Sequence, residues 1–491
     1  MSIILWIWSF ILWGLSVTPW IPPIIITIVV VITGILSLIY SAWNSKKDNN
    51  GHPSKPRHEK WFYIWIIEIA LLGGTWAFFL PLAINSSFGQ DDGAALRQAL
   101  IYTTGGVLGV ITLGETHRKN TLEKTKNEQD HTRQVHAERS ARYAKAIEQL
   151  ADEKAPICLG GVYTLVKLVD EWLADEKTLP NEEERRQEGQ IIINSLCAYI
   201  RSSFYIALKA EEPSEHKAPE NYEGGNQQFI KDQARFHEEK ELRLTILEAI
   251  RNRLNSGIII QKDGTEQLLK GPWSDFNYDF SNACFFYPVD FSNTYFGASS
   301  NFAQTAFMSN TDFSNTRFIK EANFFGTAFT MGAKFSKAIF NGKADFSKSN
   351  FCEDGNFSQV TFNMHSSFDY ANFNMFARFY KAFFTGEVSF IMTNFNLDTY
   401  FSGATFTNHT SFFKATFHIQ PIFASILYPW EGIYIARFSS KGKHKFNTSS
   451  DSPYKIETEE KEYDGVKFII PKGTELFDPD EPSAQENNDD S

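Results

Sequence analysis

The chain has little of what catalytic and metal-binding folds are usually built from. Only four of its 491 residues are cysteine, Cys158, Cys197, Cys284 and Cys352. They lie far apart with no CxxC pair, which argues against a disulfide framework or a structural metal site. His117, His131 and His136 also lack a cysteine or histidine at ligand spacing and read as surface residues. There is no glycine-rich phosphate loop, no HExxH and no nucleophile elbow, so the chain reads as a non-enzyme that needs no cofactor. Basic charge is short as well. The formal net charge is −11, and a nucleic-acid partner is not expected, because phosphate neutralisation needs clustered Lys and Arg.

Charge is missing altogether from the first 43 positions, which are broken by Pro19, Pro22 and Pro23. This pattern predicts two membrane spans, residues 3–18 and 24–43. Residues 61–84, with Trp61, Trp65 and Trp76, and residues 96–113 predict a third and a fourth. A signal peptide would need a basic n-region and a small-residue cleavage site, and neither is visible. Lys46, Lys47, Lys55, Arg57 and Lys60 lie between the second and third spans, whereas Asp91 and Asp92 lie between the third and fourth. The basic side is then cytosolic, and an even number of spans puts both termini there. Glu68 stands inside the third span, where an ionised carboxylate is expensive, and is a candidate intramembrane functional residue; placement near the headgroups, protonation or a helix partner is the plainer alternative. Gly105 and Gly109, with Gly73 and Gly74, predict close helix packing within the bundle or between protomers.

Phenylalanine, by contrast, is abundant and ordered. From Phe280 the rungs fall at Phe285, Phe291, Phe296, Phe302, Phe307, Phe313, Phe318, Phe324, Phe329, Phe335, Phe340, Phe346, Phe351, Phe357, Phe362 and Phe368. They continue through Phe373, Phe379, Phe384, Phe390, Phe395, Phe401, Phe406, Phe412, Phe417 and Phe423. The steps alternate five and six without a slip, a period of eleven. An α-helix would scatter such rungs around its surface. A small or β-branched residue, such as Thr305, Ala322, Thr327 or Ala344, stands two positions before almost every rung, and in a strand that places it on the same face as the ring. Facing sheets about 10 Å apart leave little room for opposed rings in an eleven-residue coil, so the expected coil has four Phe and 22 residues.

Between these regions, residues 115–154 predict a solvated helix whose far end docks through Ala144, Ile147 and Leu150. Residues 157–172 and 191–204 predict an antiparallel helix pair. The expected organisation is a membrane domain at 1–114, a cytosolic helical domain at 115–210, a linker at 211–228, a helix and strand at 229–262 that cover the first coil, and a β-helix at 270–430. A cap follows at 431–473, with Ile433, Ile435 and Phe438 as apolar residues and Tyr428 and Trp430 leading into it from the end of the rod, and then an acidic disordered tail at 474–491.

Two stretches carry a family resemblance. The run Arg142-Tyr-Ala-Lys-Ala-Ile-Glu-Gln-Leu150 followed by Leu159-Gly-Gly-Val-Tyr-Thr-Leu165 resembles a segment found after the membrane spans of bacterial membrane-anchored pentapeptide-repeat proteins. The small-x-Phe motif is similar to the pentapeptide repeat itself, with an extra residue in every second unit. The resemblance implies a right-handed quadrilateral β-helix and a multi-pass protein of the bacterial inner membrane. The absence of a catalytic grouping beside an intact rod predicts a non-catalytic scaffold presenting the rod to a protein partner, with membrane lipid as a further partner and self-association as an option. A channel or sensor using the bundle and Glu68 is the alternative. DNA mimicry, known among such rods, fits poorly, because residues 280–423 hold nine acids and nine Lys plus Arg.

Overall fold

The computed structural model describes residues 90–209, 222–261, 266–425 and 432–481. The chain divides into two compact units, Met1–Thr132 and Arg133–Ser491. In the first unit the described part is helical and belongs to α1, Gln90–Leu150. Among the described residues no helix is long and apolar enough to cross a membrane. That finding overturns the four-span bundle, and with it the multi-pass placement in a bacterial inner membrane with cytoplasmic termini. The reason lies in the make-up of residues 96–113, read above as the fourth span. Their apolar positions are interrupted by Arg97, Gln98, Thr103, Thr104 and Thr112 and diluted by Gly105, Gly106 and Gly109. The hydroxyls of Thr103 and Thr112 donate back to the carbonyls of Ala99 (3.0 Å) and Leu108 (2.8 Å). Residues 3–18, 24–43 and 61–84, including Glu68, lie outside the described residues.

The second unit is a helical block continued by a β-solenoid. Helices α2 (Ala155–Ala174) and α3 (Glu182–Arg201) pack as an antiparallel pair, followed by the short α4 (Tyr205–Lys209) and the long α5 (Gly225–Arg253). Asn181 starts α3 by accepting from the Glu183 amide at 3.0 Å, with three glutamates in the first turn and Arg201 in the last, as the helix dipole favours. Val162, Leu165, Val169 and Trp172 of α2 meet Ile193, Leu196 and Ile200 of α3 and Ile246 and Ile250 of α5 in one buried core. The end of α1 closes on α2 at Gly161, where a Cβ would stand 2.7 Å from the Ala146 carbonyl oxygen. Its buried residues there are Ala146 and Leu150, with Ile147 half-buried and Ala144 exposed.

From Tyr278 onward the chain winds through four parallel sheets, of eight, seven, seven and six strands. Each strand is only two residues long through the repeats. Residues pair with those 22 positions on, as Phe318 with Phe340, Ala322 with Ala344 and Phe329 with Phe351, so one coil consumes 22 residues and two eleven-residue periods. The alternation of five and six follows from two kinds of corner. In the five-residue step from Phe302 to Phe307 the Thr305 amide donates to the Phe302 carbonyl (3.2 Å), and Gln304 takes φ 56°, as a type II turn requires at its third residue. A left-handed residue recurs every eleven positions, from Asn282 through Gly326 and Lys348 to Lys414. The six-residue step from Phe307 to Phe313 turns by an open bend and needs the extra residue.

The rings fill the interior. Phe346 stacks on Phe324 (4.7 Å, 1°) and Phe368 (5.0 Å, 3°), and meets Phe335 and Phe357 edge to face, both at 5.3 Å. Stacking along the axis and edge-to-face contact across it are the geometries that the ring quadrupole favours. Threonines at the small inward positions are satisfied by the backbone. The hydroxyls of Thr305, Thr316 and Thr327 donate to the carbonyls of Phe280, Phe291 and Phe302.

Both ends of the solenoid are covered. At the start, α3 offers Gly189 to the Phe276 ring, and Gln190 exchanges two 2.8 Å hydrogen bonds with the Asn277 backbone. Asp170 of α2 receives Arg253 and the Trp273 indole N–H. At the far end the strand Arg437–Ser439 joins the eight-stranded sheet, with Phe438 stacked on Phe406 at 4.7 Å. Phe438 therefore continues the ladder, while Tyr428 and Trp430 lie outside the described residues. The strand Glu475–Phe477 then closes the same sheet. Residues 474–481, expected to begin an acidic tail, thus include an ordered strand, because an unpaired sheet edge gives their backbone a partner.

Candidate interaction surface

The rung residues Phe280, Phe291, Phe302, Phe313, Phe324, Phe335, Phe346, Phe357, Phe368 and Phe379 are all fully buried. They build the rod and touch nothing outside it. Among the described residues no group of three or more His, Cys, Asp or Glu is placed to hold a metal ion. What the solenoid offers to other molecules is its exterior, where side chains repeat in columns spaced by one coil.

The most regular exterior belongs to the seven-stranded sheet that runs from Cys284–Phe285 to Thr416–Phe417. Asn372 donates to Asn350 (3.0 Å) and Asn394 to Asn372 (2.9 Å), while Asn396 donates to Asn374 (3.0 Å). Cross-links from Asn372 to Asn374 (2.6 Å) and from Asn394 to Asn396 (2.9 Å) join the two columns into one amide network. Beside it stand Met331, Met375 and Leu397. Counting the first strand residue and the two residues after each rung, Glu353 is the one charged side chain of this face between Ala306 and Thr416. By the same count the face of the eight-stranded sheet carries Arg317 and Lys320 and no acid between Tyr295 and Asn408, and the remaining two faces are mixed in sign. Arg378 pairs with Asp354 at 2.8 Å and lies over Phe376, and His365 approaches Glu387 at 3.8 Å.

Titration is perturbed mainly by burial. Near the far cap His444 packs against Phe438 and Phe446 while its Nε2 lies 3.0 Å from the Ser439 carbonyl oxygen. Burial holds its imidazole below the usual histidine range, and nearby His409 adds to that. Burial pushes the Cys197 thiol up to about 12, which makes it an inert core residue. In the helical block Asp175 is lowered to about 2: burial would raise it, but hydrogen bonds from Thr178 and Arg139 outweigh that effect.

A further surface feature lies on the turn corner that leads into the amide face. Its left-handed positions are Asn282, Gln304, Gly326, Lys348, Tyr370, Met392 and Lys414. The outward positions of the rod are rich in Asn, Ser, Thr and Lys, a solvated composition that by itself singles out no face. The missed signal was Tyr370 and Met392, bulky residues where the other coils use small, polar or long flexible ones.

Residues 368–416 match the family model for pentapeptide repeats (9 copies). No curated protein and no solved structure matches the chain. The matched residues are wound in the four-sheet arrangement described above, and the chain carries a pentapeptide-repeat β-solenoid.

Proposed function

We propose that the solenoid is a non-catalytic interaction scaffold that receives a protein partner on the amide face between Cys284 and Phe417. The observation that carries this reading is the two-column asparagine network. Its side chains are already ordered by one another, so a partner that lands there meets a surface whose rotamer entropy has largely been lost on folding. The rings leave the interior no room for a ligand, and the near absence of charge on this face suits the core of a protein interface better than a polyanion. The nine acids and nine bases of residues 280–423 leave a nucleic acid without the positive field that it needs.

The test places a photo-crosslinking benzophenone amino acid in the full-length chain at Met375 on the amide face, or at Lys334 or Phe383 on other faces. One protein should be captured from Met375 and not from the other two positions. Equal capture from all three, or none from any, refutes the reading.

A further inference from the structure

We propose that the corner running from Phe325 through Lys348, Tyr370 and Met392 to Phe413 and Lys414 is a docking ridge for an extended, acidic peptide segment of the partner, apolar at its centre. The inference deepens the scaffold reading and rests on it, since the corner leads directly into Asn372 and Asn394 of the amide face.

Two observations coincide on this ridge. Tyr370 (φ 59°) and Met392 (φ 54°) occupy the left-handed turn position in successive coils, a conformation that bulky side chains avoid. Both side chains also face solvent, Tyr370 at 54% and Met392 at 37% exposure, with Phe413 beside them at 42%. The turn asks for neither residue, because the same column accepts Asn282, Gln304 and Gly326. Backbone strain combined with an exposed apolar patch is the combination that binding surfaces retain.

Charge selects the occupant. The Lys348 and Lys414 ammonium groups lie 5.3 Å and 5.4 Å from the ring centroids of Phe325 and Phe413, and neither forms an ion pair among the described residues. The acid on the ridge, Asp369, keeps its charge, and its carboxylate is tied to the next coil by the Ser389 hydroxyl (2.5 Å) and the Ile391 amide (2.8 Å). The ridge is therefore positive at its two ends, with the apolar Tyr370 and Met392 side chains between them and the Asp369 carboxylate held by the neighbouring coil. Lys348 and Lys414 are three coils apart, about 14 Å at strand spacing. An extended peptide covers that distance in four residues at about 3.3 Å each. Carboxylates at i and i+4 would meet the two lysines, and an apolar residue at i+2, on the same side of the strand, would meet Tyr370 and Met392.

The experiment measures fluorescence polarisation of a labelled peptide with a Glu-Ser-Leu-Ser-Glu core against the purified full-length chain. Controls replace both glutamates by lysine, or the leucine by serine. The parent peptide should bind at least tenfold more tightly than either control. Binding should fall at least tenfold in Tyr370→Asn/Met392→Asn, whose melting point should stay level or rise because asparagine accepts the left-handed turn. Lys348→Glu/Lys414→Glu should lose the salt-dependent part of the affinity. Equal binding of parent and control peptides, no binding at all, or full binding by the asparagine double variant overturns the proposal. So does self-association of the chain that the asparagine variant abolishes in sedimentation, which would assign the ridge to a second copy. Crosslinking from Met375 that survives in the asparagine variant would leave the scaffold reading standing while the ridge falls.

Discussion

Replacing Phe346 by alanine tests the central claim about the rod, that its coils are held by rings stacked along one axis. Phe346 is fully buried, stacked above and below and gripped edge to face from both sides. Neighbouring coils cannot collapse onto the gap without breaking the hydrogen bonds that run from Phe346 N to Ser367 O and from Phe324 N to Asp345 O. The loss should approach the upper part of the usual Phe-to-Ala range, about 4 kcal/mol. Phe423 is 7% exposed and stacks on one side only, on Phe401 at 5.3 Å, so Phe423→Ala should cost about 2 kcal/mol. With a urea slope of about 3 kcal/mol per M, the midpoints should drop by about 1.3 M and 0.7 M. Circular dichroism of the full-length chain in urea reads the midpoints. Hydrogen exchange then shows whether the central defect lets the coils on either side open separately, as nearest-neighbour coupling requires. Equal midpoint shifts for the two variants would refute the stacked-ring account.

Three further outcomes follow from single positions. Gly326→Val should lower stability by about 1–2 kcal/mol through its left-handed backbone alone, since a Cβ there meets only the Gln304 Cγ at 3.6 Å; Gly326→Asn should lose much less, and thermal melts of both decide. Thr327→Val keeps the shape but removes the hydroxyl that donates to the Phe302 carbonyl at 2.8 Å, so about 1 kcal/mol should go, whereas Thr327→Ser should keep the hydrogen bond. His444 is held neutral by burial with its folded pKa below the ordinary 6.5. The unfolded chain takes up a proton below about 6.5 that the folded chain still refuses, so stability should fall as pH drops through that value and level off only below the folded pKa. His444→Gln should flatten this slope in melts taken between pH 7 and pH 5.

The rod was legible because its information is local. A ring every five or six residues, with a small partner two positions before it, satisfies strand geometry coil after coil, and the 22-residue register follows from four rungs per turn. The two kinds of corner were not legible, because the left-handed residue is glycine only at Gly326 and Gly403 and otherwise hides as Asn, Gln, Lys, Tyr or Met. Phe438 as a rung was also hidden, since it lies 32 residues beyond Phe406 and off the period.

The remaining differences are long-range. The cover on the first coil depends on Gln190 meeting Asn277, 87 residues away, and on Asp170 receiving both Arg253 and Trp273. Residues 475–477 read as acidic tail until the open edge at Arg437–Ser439 supplied their hydrogen bonds. The apolar run at 96–113 predicted a span from composition, yet its helix is not apolar enough to be one. By itself, then, the sequence determined the period, the inward rungs and the neutral charge of the rod, because these are properties of neighbouring residues. Only the tertiary structure decided the corners, the caps and the exposed ridge at Tyr370 and Met392, because each depends on which backbone groups and side chains distant parts of the chain leave uncovered.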